Sequence, residues 1–178
     1  EHPQEAWVIN VEGTRNVAIA SGEVGAKLIY ISTDSVFDGE RGMYREEDTP
    51  SPVNTYARTK LEGEEVLQHL ATGGTIVRTA FYGWSLRGEH SIAEWVVNSL
   101  REGKPLSMFT DVFFSPIFTD NLAEVLIEMY RRNLTGIYHV AGSKRCSKYY
   151  FGQEIARAFG FSSSSIQSCS VRESALKA

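Results

Sequence analysis

Tyr56 and Lys60 stand four residues apart in Tyr56-Ala57-Arg58-Thr59-Lys60, and Thr33 closes an apolar run in Ser32-Thr33-Asp34-Ser35-Val36-Phe37. On a helix, a spacing of four puts both side chains on one face, about one turn apart. That pair has a definite chemistry. Hydride delivered to a ketone leaves an alkoxide that needs a proton, and a tyrosine can donate it. Its ordinary pKa of about 10 is high for turnover near neutrality. A neighbouring ammonium favours the phenolate and lowers that value. A hydroxyl such as that of Thr33 can hold the carbonyl oxygen in place. Tyr-x-x-x-Lys alone is common by chance, so its surroundings carry the weight. A hydroxyl-rich turn follows a strand, a loop with Pro50 and Pro52 comes next, and the pair opens the following helix.

The elements that must position these residues alternate along the chain. Ala6, Ile9, Gly13, Val17 and Ala20 recur at helical spacing behind Pro3. Leu28-Ile29-Tyr30-Ile31 is a short apolar run that predicts a buried strand. The pattern is helical from Asn54 to Leu70, Thr75 to Thr79 is the next strand, and Gly73-Gly74 separates the two. Ile92 to Leu100 and Leu122 to Tyr130 trace helix faces, with a short strand at Leu106 to Phe109 between them. Ile137 to Val140 is a strand, Phe151, Ile155 and Phe159 mark a last helix, and Ser162 to Ser165 is loop. This alternation predicts an α/β fold with a mostly parallel sheet. Strands near 27–32, 75–79 and 136–140 are expected as parallel neighbours or near neighbours. Ligands of such sheets bind beyond the carboxyl ends of the strands, just after Ile31 and just after Thr79.

Composition narrows the function classes. The 178 residues hold 42% apolar and 22% charged residues, with a net charge of −4. That is ordinary globular composition, and the charge points to neither a nucleic-acid nor an anionic-membrane partner. No apolar run reaches the roughly 18 residues of a membrane span, and Glu1-His2-Pro3-Gln4 does not open a signal peptide. A cytoplasmic protein is the expectation. Cys146 and Cys169 make no disulfide framework, and His2, His69, His90 and His139 share no metal-ligand spacing, so no metal is expected. No Gly-x-Ser-x-Gly elbow is present. Asn133-Leu134-Thr135 matches a glycosylation pattern, but a helix end and turn is the reading preferred. Arg45-Glu46-Glu47-Asp48 reads as a solvated loop face, and Lys144, Arg145 and Lys148 as a small basic cluster.

Taken in order, these segments resemble a known family. Asn10 with Gly13-Thr14, Ile31 to Gly39, Tyr44 to Asp48, Pro52 to Glu64, Arg78-Thr79, Ser115 to Ala123 and Gly136 to Gly142 are similar to motifs of the extended short-chain dehydrogenase/reductases. Within them the chain resembles the dTDP-4-dehydrorhamnose reductase group. The resemblance implies an incomplete Rossmann-like, doubly wound, mostly parallel sheet with part of a small C-terminal substrate-binding region. Residues 1–80 would be the C-terminal half of the NAD(P)-binding domain. Residues 81–178 would mix the substrate-binding region with the last sheet elements, in one compact unit.

It also implies roles. Tyr56 would be the general acid, Lys60 would hold the nicotinamide ribose and lower the Tyr56 pKa, and Thr33 would orient the keto oxygen. Asn10, Ser32, Tyr56, Lys60 and Arg78 would contact NADP or NAD. Thr33, Asp34, Ser35, Phe81 and Tyr82 would contact a nucleotide-linked 4-keto sugar. A structural hydrogen bond is the competing role for Asn10, and core packing competes for at least one of Phe81, Tyr82 and Trp84.

The chain departs from the pattern at Ser35, where these reductases usually carry tyrosine, and near Phe81, where they carry tryptophan. The family's Gly-x-x-Gly-x-x-Gly run is missing: Gly22 and Gly25 are three apart, but position 28 is Leu. The first βαβαβ portion is expected upstream of Glu1, and Val171 to Ala178 resembles a segment that continues further in the family. A piece of this kind is expected to be inactive alone and to associate through its uncovered surface, with a homo-oligomer as one form. Two alternatives remain. One is a nucleotide-sugar epimerase or dehydratase. The other is a regulatory subunit resembling that of methionine adenosyltransferase, which shares the Val-Phe-Asp-Gly turn and the Tyr-x-x-x-Lys helix.

Overall fold

The computed structural model describes residues 2–70, 73–85 and 91–173. His90 and the stretch 174–178, both singled out from the sequence, lie outside them. Contacts divide the chain into two units: Glu1–Thr79 with Leu122–Val140, and Ala80–Asn121 with Ala141–Ala178. This differs from one compact unit with a boundary at residue 80. The chain returns to the first unit because strand 136–139 pairs in register beside strand 75–79. Among the described residues, no helix is long and apolar enough to cross a membrane.

The first unit opens on a continuous helical stretch. Pro3 starts α1 (Pro3–Trp7), a π-helical turn covers Val8–Glu12, and α2 runs Gly13–Glu23. A wide turn of this kind inside a helix is rare and shifts the faces on either side of it. Gly25, at φ 67°, turns the chain toward β1 (Ile29–Thr33). The loop after β1 leads to Asn54, whose side chain accepts from the Ala57 amide at 2.9 Å and caps α3 (Thr55–His69). β2 (Thr75–Thr79) is buried along its whole length, as a central strand with both faces covered must be. α5 (Thr119–Arg131) adds Leu122 and Met129 to the buried set, and β7 (Gly136–His139) ends the unit. The order β1-β2-β7 is parallel throughout, with Ile29 opposite Thr75 and Thr75 opposite Gly136. Ala18, Leu67 and Ile76 form a core, with Leu28, Tyr30, Leu70 and Ile137 packed against it.

The second unit is built from shorter pieces. β3 (Phe81–Tyr82) pairs in parallel with β6 (Ile117–Phe118), and β5 (Phe113–Phe114) pairs antiparallel with β8 (Cys146–Ser147). β4 (Leu106–Phe109) pairs in parallel with β9 (Ile166–Cys169), just after the Ser-rich stretch. α4 (Ile92–Arg101) starts with a capping box between Ser91 and Glu94, and Ser147 caps α6 (Lys148–Ala158). Ala93, Val96, Val97, Met108, Phe151 and Ile166 lie at the centre of its core.

Candidate functional site

The first unit assembles the chemistry-bearing residues. Thr33, the last residue of β1, is buried, and its Oγ1 accepts from the Ser35 amide at 3.2 Å. That bond caps a short 3-10 turn over Asp34–Val36 and fixes the hydroxyl at the strand end. The Thr33 hydroxyl donates to Asp34 Oδ1 at 3.4 Å and lies near enough to the phenol of Tyr56 to favour its ionised form. Tyr56 itself is 53% exposed in the first turn of α3. Asp34 is exposed and Ser35 half-buried; the Ser35 hydroxyl reaches Asp34 Oδ1 at 3.4 Å.

Burial is the largest influence on Tyr56 and raises its pKa; the Thr33 hydroxyl lowers it, and the Asp34 carboxylate raises it. The net direction is upward, the opposite of the depression expected from Lys60. The position of the ammonium accounts for this. Lys60 Nζ lies over the Tyr30 ring, 4.0 Å from its centroid. Burial lowers the Lys60 pKa, with the Glu64 carboxylate acting in the other direction.

Asn10 lies in the π-helical turn. Its Nδ2 donates to Thr59 Oγ1 at 2.9 Å, and Thr59 Oγ1 donates to the Tyr56 carbonyl at 3.0 Å. The partner of Asn10 is therefore the neighbouring helix α3, and the bond braces the turn that carries Tyr56.

Ser32 and Arg78 converge on a residue that the sequence reading did not single out. Glu64, 1% exposed, receives Arg78 Nε at 3.1 Å from each carboxylate oxygen and Arg78 Nη2 at 2.7 Å, and the Ser32 hydroxyl donates to Glu64 Oε1. Ser32, Arg78 and His139 lie in register across the three strands. The Arg78 guanidinium also lies 5.2 Å from the Phe37 ring centroid. Buried charges need such pairing, since an isolated one is strongly disfavoured. Glu46 is likewise half-buried and engaged, unlike the solvated face expected for it. Its Oε1 accepts from the His139 amide at 2.8 Å, and that bond holds its carboxyl below the usual range. The β1–α3 loop is thereby tied to β7. No local pattern marks Glu46 or Glu64; only their partners on other elements do.

Phe81 and Tyr82 belong to the second unit. Phe81 is 53% exposed, whereas Tyr82 is half-buried between Phe118 and Phe151, at 5.6 and 5.0 Å between ring centroids.

The family model described as "RmlD substrate binding domain" matches residues 1–178. Methionine adenosyltransferase 2 subunit beta of Xenopus tropicalis is 33% identical over 183 residues, covering 93% of this chain and 52% of that protein. The probable low-salt glycan biosynthesis reductase Agl14 of Haloferax volcanii is 30% identical over 172 residues, covering 94% of this chain and 57% of that protein. Among solved structures, dTDP-4-dehydrorhamnose reductase of Bacillus anthracis in complex with NADP superposes with a TM-score of 0.88 at 34% identity, over 96% of this chain and 60% of that one. The chain thus spans little more than half the length of the curated relatives described above.

Proposed function

From the premise that the chain belongs to the RmlD substrate-binding domain family, we propose that it carries the catalytic residues of an NAD(P)H-dependent reductase of nucleotide-linked 4-keto sugars, with dTDP-4-dehydrorhamnose as the model substrate and dTDP-rhamnose biosynthesis as its setting. The observation that carries this reading is the buried Thr33 hydroxyl at the carboxyl end of β1, where parallel α/β sheets bind ligands, acting on the phenol of Tyr56 in the first turn of α3. The similarity to a dTDP-4-dehydrorhamnose reductase bound to NADP supports it.

The donor set suits a nicotinamide nucleotide: a phenol and an ammonium one turn apart on α3 match the adjacent hydroxyls of a ribose. The bound NAD(P)H supplies the hydride. Thr33 holds the keto oxygen against the phenol, and Tyr56 passes its proton to that oxygen as the alkoxide forms. A substrate oxygen accumulating negative charge draws the proton, and a phenol, whose ordinary pKa is about 10, starts protonated near neutrality. Lys60 would hold the ribose hydroxyls of that nucleotide when it is bound, and its charge would favour the phenolate that remains. Asn10 braces the Tyr56 turn through Thr59. Asp34 and Ser35, on the turn after Thr33, are proposed to contact the sugar nucleotide; Ser32 and Arg78 are proposed to support the cofactor side through Glu64.

The working enzyme is proposed to be the longer polypeptide. Residues 1–178 hold no Gly-x-x-Gly-x-x-Gly run to cradle a pyrophosphate, so this stretch alone is proposed to be inactive. The test is turnover of the full-length product with NADPH or NADH and a panel of 4-keto nucleotide sugars, with Tyr56→Phe as control. A second reading is a regulatory subunit for a methionine adenosyltransferase, favoured by the 33% identity to such a subunit. It predicts modulation of a methionine adenosyltransferase that Tyr56→Phe leaves unchanged.

A further inference from the structure

We propose that Tyr30 is the positioning residue for Lys60, a role that rests on the reductase reading and adds a residue to its machinery. Tyr30 holds the lysine at two points. Its ring lies under the ammonium, with Nζ 4.0 Å from the centroid, and its hydroxyl donates to the Lys60 carbonyl oxygen at 3.3 Å. A lysine carries four flexible side-chain bonds and loses much freedom when its head is fixed. Here one aromatic side chain fixes both the backbone and the head of the same residue.

The surrounding residues are shaped around this contact. Gly63 stands three positions after Lys60 on α3. A Cβ there would overlap Tyr30 Oη and stand 2.8 Å from the Asn10 carbonyl oxygen, so only glycine lets the ring reach under the lysine. Thr14 lies beside the Tyr30 phenol, and its own hydroxyl donates to the Asn10 carbonyl at 2.7 Å. β1, α3 and the α1–α2 stretch are therefore joined at this one ring.

The chemistry explains why a ring, and not a carboxylate, holds the ammonium. An ion pair would occupy the N–H donors. A π-face attracts the charge and leaves donors free for hydroxyl ligands such as a ribose diol. The nearby carboxylate, Glu64, is committed to Arg78 and Ser32. Tyr30 must stay neutral, since a tyrosinate would capture the ammonium. Burial supports this by pushing its pKa up to about 12.

The test uses the chain as it stands. In a sample with isotopically labelled lysine, the Lys60 ε-methylene protons are expected to resonate upfield of the other lysines, through the ring current of Tyr30. Tyr30→Phe keeps the ring and is expected to keep that shift; Tyr30→Leu is expected to abolish it. An unshifted Lys60 signal in the unaltered chain, or a shift that survives Tyr30→Leu, overturns the proposal, and the first of these needs no variant to fold. In the full-length enzyme, Tyr30→Leu is expected to lower kcat/KM on the order of tenfold or more, with a raised KM for the nicotinamide nucleotide, while Tyr30→Phe, which loses only the hydroxyl contact, falls by less. If the parent turns over, Tyr56→Phe abolishes turnover and Tyr30→Leu does not alter it, this proposal falls and the reductase reading stands. If the parent reduces no keto sugar, the reductase reading falls, and with it the catalytic meaning of Tyr30. The lysine shift still decides the contact.

Discussion

Thr33, the last residue of β1, stands close enough to Tyr56, in the first turn of α3, for its hydroxyl to lower the pKa of the phenol. That hydroxyl favours the phenolate, against the larger effect of burial. Thr33→Val removes it and should raise the Tyr56 pKa further. Ultraviolet titration of the tyrosines, with Tyr56→Phe to assign the transition, checks this. A Tyr56 titration that stays in place or moves down would mean that Thr33 does not act on the phenol.

Glu64 and Arg78 form the buried pair beneath the site, 1% and 4% exposed. Glu64→Ala strands the guanidinium, a change that costs about 3–5 kcal/mol in comparable pairs. Denaturant unfolding of the chain should show a loss of that order. Replacing both residues with apolar ones of similar volume should recover most of it, because no charge is then left buried. A loss no larger than that of a surface substitution would contradict the pairing.

Gly63→Ala normally strengthens a helix, by about 1 kcal/mol in an exposed interior. Here it should destabilise by roughly 1–3 kcal/mol through overpacking, because the new methyl meets Tyr30 and the backbone of Asn10. Adding Tyr30→Phe should relieve part of the loss, leaving the Asn10 contact. Stabilisation by the single change would remove the close approach.

Two partly buried phenols make stability fall at alkaline pH. The Tyr30 pKa, at about 12 when folded, lies above its ordinary value of 10.0. Folding therefore favours the protonated phenol. That contribution is fully present below pH 10 and is lost as pH rises toward about 12. Tyr56, shifted in the same direction, adds to the same limb. Tyr30→Phe should flatten the fall in unfolding free energy across this window without removing it. An unchanged slope would contradict the burial of the phenol.

The sequence made some of this legible. Leu28 to Ile31 reads as a buried strand because it is a short apolar run bounded by polar segments, and it forms the heart of β1 at Ile29–Thr33. The parallel register of 29–33, 75–79 and 136–139 follows from alternation with helices. The Tyr56/Lys60 spacing placed both on α3. The contacts that complete the site were hidden because they join distant residues: Glu46 and His139 are 93 positions apart. Tyr30 could be read as an apolar-strand residue, but not as the partner of Lys60, since that depends on how α3 crosses β1. The two-residue strands β3, β5, β6 and β8 are too short to carry a period. The π-helical turn at Asn10 has no periodic signature that separates it from the helices around it.

The central claim is that Tyr56 donates the proton in reduction of a keto sugar. The most direct measurement is single-turnover oxidation of NADPH by the full-length product with a 4-keto dTDP sugar, comparing the parent with Tyr56→Phe. The account predicts stereospecific reduction by the parent and a loss on the order of 10²-fold or more in the variant, with NADPH affinity largely kept. Equal rates in the two proteins, or no reduction of any 4-keto nucleotide sugar by the parent, would contradict it.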